Sequence, residues 1–165
     1  MKRPITVLLV EDNEMTRGSL RLQLESDSLV TVVERSTLQG AVEEAKKGKV
    51  DVILFDLFLP DCGETTGISV LRKAVPCVPV VVITGYGNEW EEASLIAGAE
   101  DYLQKAGLSC HDLVTVLRHA IIRNAVQLEL TCNYCKAGWS MNRTGKTITE
   151  AEEHGSKMRL EMSSR

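Results

Sequence analysis

The chain has 165 residues, of which 44% are hydrophobic and 25% are charged, and its formal net charge is −4. This length and composition predict one globular domain, with room for a short appendage. The negative net charge gives no reason to expect nucleic acid or an anionic membrane surface as a partner. Because no run of about 18 apolar residues occurs, the sequence also excludes a membrane-spanning helix.

Two further features predict a cytoplasmic protein. The apolar stretch near the N-terminus, Ile5–Val10, is closed by Glu11 and Asp12 and is too short for a secretory signal peptide. The five cysteines are odd in number and have no framework spacing, which favours reduced thiols.

The first half of the chain alternates short apolar runs with helix-like segments. Asn13 is a suitable helix cap, and Gly48 supplies a helix stop. These features predict, in chain order, a strand at Ile5–Val10, a helix up to Glu25, a strand at Leu29–Val33, a helix at Thr37–Lys47 and a strand at Val52–Phe55.

The second half continues the same alternation. Pro76 closes one helix, Gly98 ends the next, and Ser109 is a suitable cap for the last. The predicted elements are a helix at Thr65–Ala74, a strand at Val80–Thr84, a helix at Glu89–Ala97, a short strand containing Tyr102–Leu103, and a long helix from His111 to about Leu130.

Five strand–helix repeats whose strands are continuous apolar runs are typical of a parallel sheet covered on both faces. We therefore predict a doubly wound α/β fold with a five-stranded parallel sheet in the flavodoxin-like order 2-1-3-4-5, followed by an extended C-terminal helix. In such folds, ligands bind beyond the carboxyl ends of the strands, where the strand order reverses.

Polar or charged side chains follow four of the five predicted strands. The third strand is the most telling case, because the apolar run "VILFDLFLP" is interrupted by Asp56, and a buried carboxylate needs partners. The topology brings such partners to the same edge: Glu11 and Asp12 after the first strand, Thr84 at the end of the fourth and Lys105 at the end of the fifth.

These residue types suit phosphoryl transfer to a carboxylate. Three carboxylates repel one another, and Mg²⁺, which takes oxygen ligands from one or two carboxylates and from phosphate, removes that cost. The Lys105 ammonium and the Thr84 hydroxyl suit phosphoryl oxygens, and Asp56 suits the nucleophile. The residues alone also leave open a small flavodoxin-like enzyme or nucleotide binder, although no G-x-G-x-x-G or P-loop motif is present.

The segments "VLLVEDNE", "VILFDLFLPD", "VVVITGYG" and "DYLQKAG" together resemble the receiver domain of bacterial two-component response regulators, over roughly residues 4–125. The resemblance implies that Asp56 accepts a phosphoryl group from the phosphohistidine of a sensor histidine kinase or phosphotransfer protein. It implies Mg²⁺ as cofactor, with four ligand positions: Glu11, Asp12, Asp56 and the backbone carbonyl of Phe58. It also implies that Thr84 and Lys105 contact the phosphoryl group.

The same resemblance implies a conformational switch. Thr84 would move toward a phosphoryl oxygen, and the ring of Tyr102, the family's aromatic switch position, would turn inward and alter the neighbouring face. Relatives that dimerise through the face near Tyr102 make a homodimer one option. The expected output is a change in protein–protein contacts, with no enzymatic activity beyond self-phosphorylation and slow autodephosphorylation.

Three local features depart from the family pattern. Ala106 follows Lys105 where the family usually has proline, and Gly67 lies seven residues after Pro60 instead of four. Phe58 and Tyr86 are bulky residues at positions near the site, where they would screen an acyl phosphate from water.

The last 40 residues have no assigned function. We predict a receiver domain at residues 1–125 and a helical extension with a polar tail at residues 126–165, the tail being partly helical from Thr149. No helix-turn-helix pattern is visible. Cys132 and Cys135 form a lone C-x-x-C motif, a weak signal for zinc or redox chemistry and more typical of a solvated thiol pair. A receiver detached from a hybrid sensor kinase and an adaptor that is never phosphorylated are further alternatives.

Overall fold

The structure, a computed structural model, describes residues 3–132 and the side chains of residues 3–128. Five strands and five α-helices alternate along this part of the chain. The strands are β1 (Ile5–Val10), β2 (Val30–Arg35), β3 (Val52–Asp56), β4 (Val80–Thr84) and β5 (Asp101–Gln104). The helices are α1 (Glu14–Glu25), α2 (Leu38–Ala45), α3 (Thr66–Ala74), α4 (Glu91–Ile96) and α5 (Cys110–Cys132), with a short 3-10 helix at Asn88–Trp90 before α4.

The strands form one parallel sheet in the order β2-β1-β3-β4-β5, which confirms the predicted fold and strand order. The chain leaves β1 in one direction to form β2 and then crosses back to form β3 on the other side of β1. The strand order therefore reverses between β1 and β3, where Val10 is paired with Phe55. This reversal fixes where a ligand cleft lies in a doubly wound sheet.

Each face of the sheet is covered by helices, which explains why the strands are apolar on both sides. One face packs Leu8, Phe55 and Val82 against α2 and α3, and the other packs Leu9, Leu54 and other residues against α1 and α5. Burial of such aliphatic and aromatic side chains contributes about 1.5–3 kcal/mol each. The helix residues that cover the two faces include Ala41, Ile68 and Leu71 on one side and Leu24, Leu113 and Leu117 on the other.

The predicted caps and stops are present in the structure. The Asn13 side chain accepts a hydrogen bond from the Thr16 backbone N–H at 3.0 Å and caps α1. The Ser109 hydroxyl accepts one from the Asp112 N–H at 3.1 Å at the start of α5. Gly48 and Gly98 have φ angles of 71° and 105°, a left-handed conformation that ends a helix readily only in glycine.

Several element bounds differ from the sequence-based prediction; among them, β3 includes Asp56 and α2 covers only Leu38–Ala45. Strand β2 starts one residue later than predicted, at Val30, and continues to Arg35, because it pairs with β1 along its whole length and, as an edge strand, tolerates charged side chains. The fourth helix was predicted over Glu89–Ala97, but its first turn is the 3-10 helix and α4 proper begins at Glu91. No side-chain cap is present at Gly87 or Trp90 to start an α-helix there.

The compact unit that contains the sheet ends at Ala125. None of the helices described within residues 3–132 has the length and hydrophobicity that crossing a bilayer requires. The predictions for Cys135, for the Cys132–Cys135 motif as a pair and for the tail from Thr149 lie outside the described residues, so the division at residue 125 stays a prediction.

Candidate functional site

The sheet register brings the polar strand ends together. Val10 of β1 is paired with Phe55 of β3, so the residues that follow them, Glu11 and Asp56, are neighbours at the carboxyl edge. The backbone N–H of Lys105 donates to the carbonyl oxygen of Thr84 at 2.7 Å, which continues the β4–β5 ladder to the same edge.

The Lys105 ammonium lies between two carboxylates. Its Nζ is 2.6 Å from Oε2 of Glu11 and 3.0 Å from Oδ2 of Asp56. Ala106 follows Lys105 where the resemblance implies a proline, and Gly107, with a φ of 78°, supplies the turn after it. The lysine side chain therefore reaches the acidic residues although the proline is absent.

The three charged groups lie in an environment that excludes most water. Glu11 is 1% exposed and Asp56 is 5% exposed. Burial raises the pKa of Glu11 above its ordinary value, and the nearby Asp56 charge adds to this, whereas the hydrogen bond from Lys105 opposes it. Burial acts to lower the pKa of Lys105, but its hydrogen bonds to Glu11 and Asp56 outweigh burial and raise it. The ammonium is therefore held in its charged form.

Three carboxylates at this edge can share one cation. Glu11, Asp12 and Asp56 each offer an oxygen, and the three oxygens lie within 4.8 Å of one another. Glu11 and Asp56 are buried, whereas Asp12 is exposed and open to solvent. Two or three carboxylate oxygens with adjacent solvent fit a hard divalent cation that keeps several waters. The Phe58 carbonyl stays a predicted ligand.

Thr84 and Tyr102 are both buried beside this edge. The Thr84 hydroxyl accepts a hydrogen bond from the Tyr86 N–H at 3.2 Å. The Tyr102 ring is 8% exposed and packs in the core, and its hydroxyl donates to the carbonyl of Gly87 at 2.7 Å. The ring thus already occupies an inward position, which ties β5 to the loop after β4. Burial raises the pKa of this hydroxyl, so it remains a donor.

Three groups of contacts around the site could be found only with coordinates. The Phe58 and Tyr86 rings are 4.2 Å apart between centroids, and Trp90 lies edge-on to Phe58 at 6.0 Å. Arg17 donates to the backbone carbonyls that follow β1. The Asp61 carboxylate accepts from the backbone N–H groups at the start of α2, at 3.1 and 3.3 Å. The only sequence signals were the bulk of Phe58 and Tyr86 and the acidic residue after Pro60.

The described geometry is matched by a known family. The family model for the response regulator receiver domain matches residues 7–118, which include every strand except the first two residues of β1. This chain belongs to the response regulator receiver domain family. Receiver domains of this family act in two-component signal transduction.

Curated relatives of this receiver domain include named response regulators. It is 40% identical over 120 residues to the KDP operon transcriptional regulatory protein KdpE of Escherichia coli K12, covering 72% of this chain and 52% of the relative. It is 32% identical over 117 residues to the response regulator protein VraR of Staphylococcus saprophyticus, covering 70% and 56%. The receiver chain therefore spans about half the length of the curated relatives it matches.

Solved structures with the same fold are also receiver domains. One, from Clostridium thermocellum, is superposed with a TM-score of 0.66 at 21% identity, covering 74% of this chain and 98% of that chain. A CheY-like receiver domain protein from Methanospirillum hungatei gives a TM-score of 0.66 at 23% identity, covering 75% and 98%. At these identities the likeness concerns the fold alone.

Proposed function

We propose that Asp56 is the phosphoacceptor of this receiver domain. In the step proposed, Asp56 attacks phosphorus, the bond between phosphorus and the donor's imidazole nitrogen breaks, and a bond to Asp56 forms while the imidazole nitrogen takes up a proton. The single observation that carries the proposal is the Lys105 ammonium, 3.0 Å from Asp56, in an edge that holds two further carboxylates.

The other residues of the edge have distinct roles in this proposal. Mg²⁺, bound by Glu11, Asp12, Asp56 and the Phe58 carbonyl, would supply positive charge against the phosphoryl oxygens. Lys105 would neutralise a second phosphoryl oxygen, because phosphorylation removes the Asp56 carboxylate charge that its ammonium binds. Thr84 would donate its hydroxyl proton to a third.

We further propose that Thr84 and Tyr102 transmit the change. Phosphorylation adds about one negative charge to the site, which favours movement of Thr84 toward it. The Tyr102 hydroxyl binds the Gly87 carbonyl in the unphosphorylated chain. Movement of Thr84 would therefore stabilise a conformation of the loop after β4 that is already present before phosphorylation. The face formed by α4, β5 and α5, including a homodimer through it, is where the change would be read.

The aromatic contact beside the site supports a slow loss of the phosphoryl group. Phe58 and Tyr86 lie on the loops after β3 and β4, and their rings touch at 4.2 Å between centroids. Such a contact restricts the approach of water to an acyl phosphate on Asp56. Truncating Tyr86, which is 54% exposed, should therefore shorten the phosphoryl lifetime without unfolding the core.

The partners we propose are a sensor histidine kinase or phosphotransfer protein upstream and a protein target downstream, both in the cytoplasm. The net charge of −4 over the full sequence gives no reason to propose nucleic acid or an anionic membrane as a partner. The relative KdpE is named a transcriptional regulatory protein, and the match covers 52% of it. The proposal on partners therefore concerns only the region that this chain shares with KdpE. We propose a receiver at residues 1–125 and an extension at residues 126–165.

The experiment that tests the phosphoacceptor is incubation with acetyl phosphate and Mg²⁺, followed by intact mass analysis. The wild-type chain should gain one phosphoryl group, and Asp56→Asn should gain none. Asp51→Asn is the matched control, because Asp51 precedes the same strand at its other end, and this variant should be phosphorylated as wild type. Phosphorylation of Asp56→Asn, or of wild type with Mg²⁺ chelated, would contradict the proposal.

A further inference from the structure

Arg17 connects helix α1 to the loop that carries two of the three site carboxylates. Its Nη1 donates to the backbone carbonyl oxygen of Glu11 at 2.8 Å and to that of Asp12 at 3.2 Å. Consecutive carbonyl groups are thus bound by one guanidinium nitrogen. Without this contact, neither carbonyl would have a fixed partner on α1.

The guanidinium is itself held in place from the opposite side. Its Nε lies 3.5 Å from Oε1 of Glu34 on β2, and its side chain is only 19% exposed. The backbone N–H of Arg17 also donates to the carbonyl of Asn13 at 2.9 Å, within the first turn of α1. Arg17 is therefore anchored at its backbone and at its Nε, while its Nη1 binds the loop.

The other contacts of the loop hold Glu11, whose carboxylate also binds the Lys105 ammonium at 2.6 Å. The Glu11 N–H donates to the carbonyl of Arg35 at 3.1 Å, and the Asn13 N–H donates to Oε1 of Glu11 at 3.3 Å. Asp12 is exposed, and its carboxylate is repelled by those of Glu11 and Asp56. Arg17 is the group that holds the backbone of Asp12 while these charges favour its movement away from the site.

We propose that Arg17 is a positioning residue that holds the backbone of Glu11 and Asp12 in the orientation that binds Mg²⁺. This inference rests on the proposed function, because it concerns the same cation. Holding the loop in advance removes part of the ordering cost of metal binding, as outer hydrogen-bond partners of metal ligands do. The planar guanidinium suits this task, whereas a lysine ammonium cannot hold both carbonyls and Glu34 in one geometry.

The direction of the effect separates positioning from simple electrostatics. A positive guanidinium near a cation site repels the cation, so its removal should tighten Mg²⁺ binding if charge alone mattered. If Arg17 positions the loop, its removal should weaken Mg²⁺ binding instead. The two explanations therefore predict opposite signs for the same substitution.

The test is a Mg²⁺ titration of the full chain, monitored by calorimetry and by NMR amide shifts. It compares wild type with Arg17→Ala, Arg17→Lys and Arg21→Ala. We expect Arg17→Ala to raise the Mg²⁺ dissociation constant about tenfold, at the low end for partners of metal ligands. Arg17→Lys should restore only part of the affinity. Arg21→Ala is the matched control, because Arg21 pairs with the same Glu34 at 3.4 Å and has no contact with either carbonyl, and it should bind as wild type.

A second readout is phosphorylation by acetyl phosphate as a function of Mg²⁺ concentration. Arg17→Ala should need more Mg²⁺ for half-maximal rate and should reach nearly the wild-type rate at saturation. Unchanged or tighter Mg²⁺ binding by a folded Arg17→Ala, or by Arg17→Lys if the alanine variant does not fold, would overturn the inference. Failure of the wild-type chain to bind Mg²⁺ would instead overturn the proposed function.

Discussion

The two edges of the sheet differ in how their charges are balanced. At the amino edge, where the strands begin, Asp51 pairs with Arg3 at 3.0 Å and accepts the Thr6 N–H at 2.7 Å. The Asp27 carboxylate forms an ion pair with the guanidinium of Arg118, with Oδ2 and Nη2 3.8 Å apart. At the carboxyl edge, the Lys105 ammonium pairs with Glu11 and Asp56, and the Asp12 carboxylate lies beside them. One edge is locally neutral, and the other has an excess of negative charge.

This difference in charge balance indicates that the carboxyl edge stabilises the fold less than the amino edge does and is better suited to bind a cation. Paired charges with hydrogen bonds stabilise a fold modestly, whereas like charges held together destabilise it unless a further cation is present. The amino edge follows the first arrangement and the carboxyl edge the second. The four substitutions below, in order of expected effect, test this contrast by removing one charge at a time.

The largest effect is expected from Lys105→Gln. Removal of the ammonium leaves Glu11 and Asp56 without a counter-charge, which should lower the free energy of unfolding by about 2–3 kcal/mol, reduced from the fully buried case because Lys105 is 22% exposed. Urea denaturation with a chelator present measures it. Mg²⁺ should recover most of the loss, and the exposed Lys73→Gln should show neither effect. Equal stability of Lys105→Gln and wild type in chelator would show that the carboxylates do not repel one another.

A smaller loss is expected at the amino edge. Asp51→Asn removes the ion pair with Arg3 and weakens the hydrogen bond to Thr6, which should lower the free energy of unfolding by about 1–2 kcal/mol. Because this edge is already neutral, Mg²⁺ should not change the difference between variant and wild type. A Mg²⁺-dependent difference would mean that the two edges are coupled.

Asp56→Asn should have the opposite sign. Removal of one carboxylate relieves repulsion with Glu11 and Asp12, while Lys105 keeps its 2.6 Å contact with Glu11. In the absence of Mg²⁺ the variant should be more stable than wild type by about 1 kcal/mol. The comparison with Asp51→Asn is direct, since Asp51 precedes β3 and Asp56 is its last residue. Destabilisation of both variants in urea would remove the contrast between the edges.

The smallest effect on the free energy of unfolding is expected at Glu44. Its charge balance is the reverse of that at the carboxyl edge, where carboxylates outnumber cations. The Glu44 carboxylate has two cations, Lys47 at 2.7 Å and Arg35. The hydrogen bond from Lys47, helped by Arg35, lowers the pKa of Glu44 below its ordinary value of 4.5. Its stabilising effect is therefore present above pH 4.5 and lost as the pH falls through the lowered pKa.

Glu44→Gln tests this pH dependence. Wild type should be more stable than the variant at neutral pH, and the difference should disappear on acidification below pH 4.5. Chemical denaturation at a series of pH values measures it. A difference that grows as the pH falls would contradict the assigned direction.

Most of the fold could be predicted from the order of residue types. Apolar runs such as Val80–Thr84, buried along their whole length, are typical of a central parallel strand, and Asn13 and Ser109 mark helix starts by chemistry that acts within a few residues. The prediction was less accurate where distant packing decides the outcome. The extension of β2 to Arg35 depends on its pairing with β1, which is far away in the chain.

The sequence by itself determined the fold class and the set of charged residues that follow the strands, because periodicity, caps and turns are local properties, and its motifs resembled the family that the family model shows. Only the tertiary structure decided that Lys105 lies between Glu11 and Asp56 and that Arg17 binds the backbone of both acidic loop residues. Distances between residues as much as 94 positions apart depend on strand register and helix packing. These are set by the burial of the whole core, and no short segment carries that information.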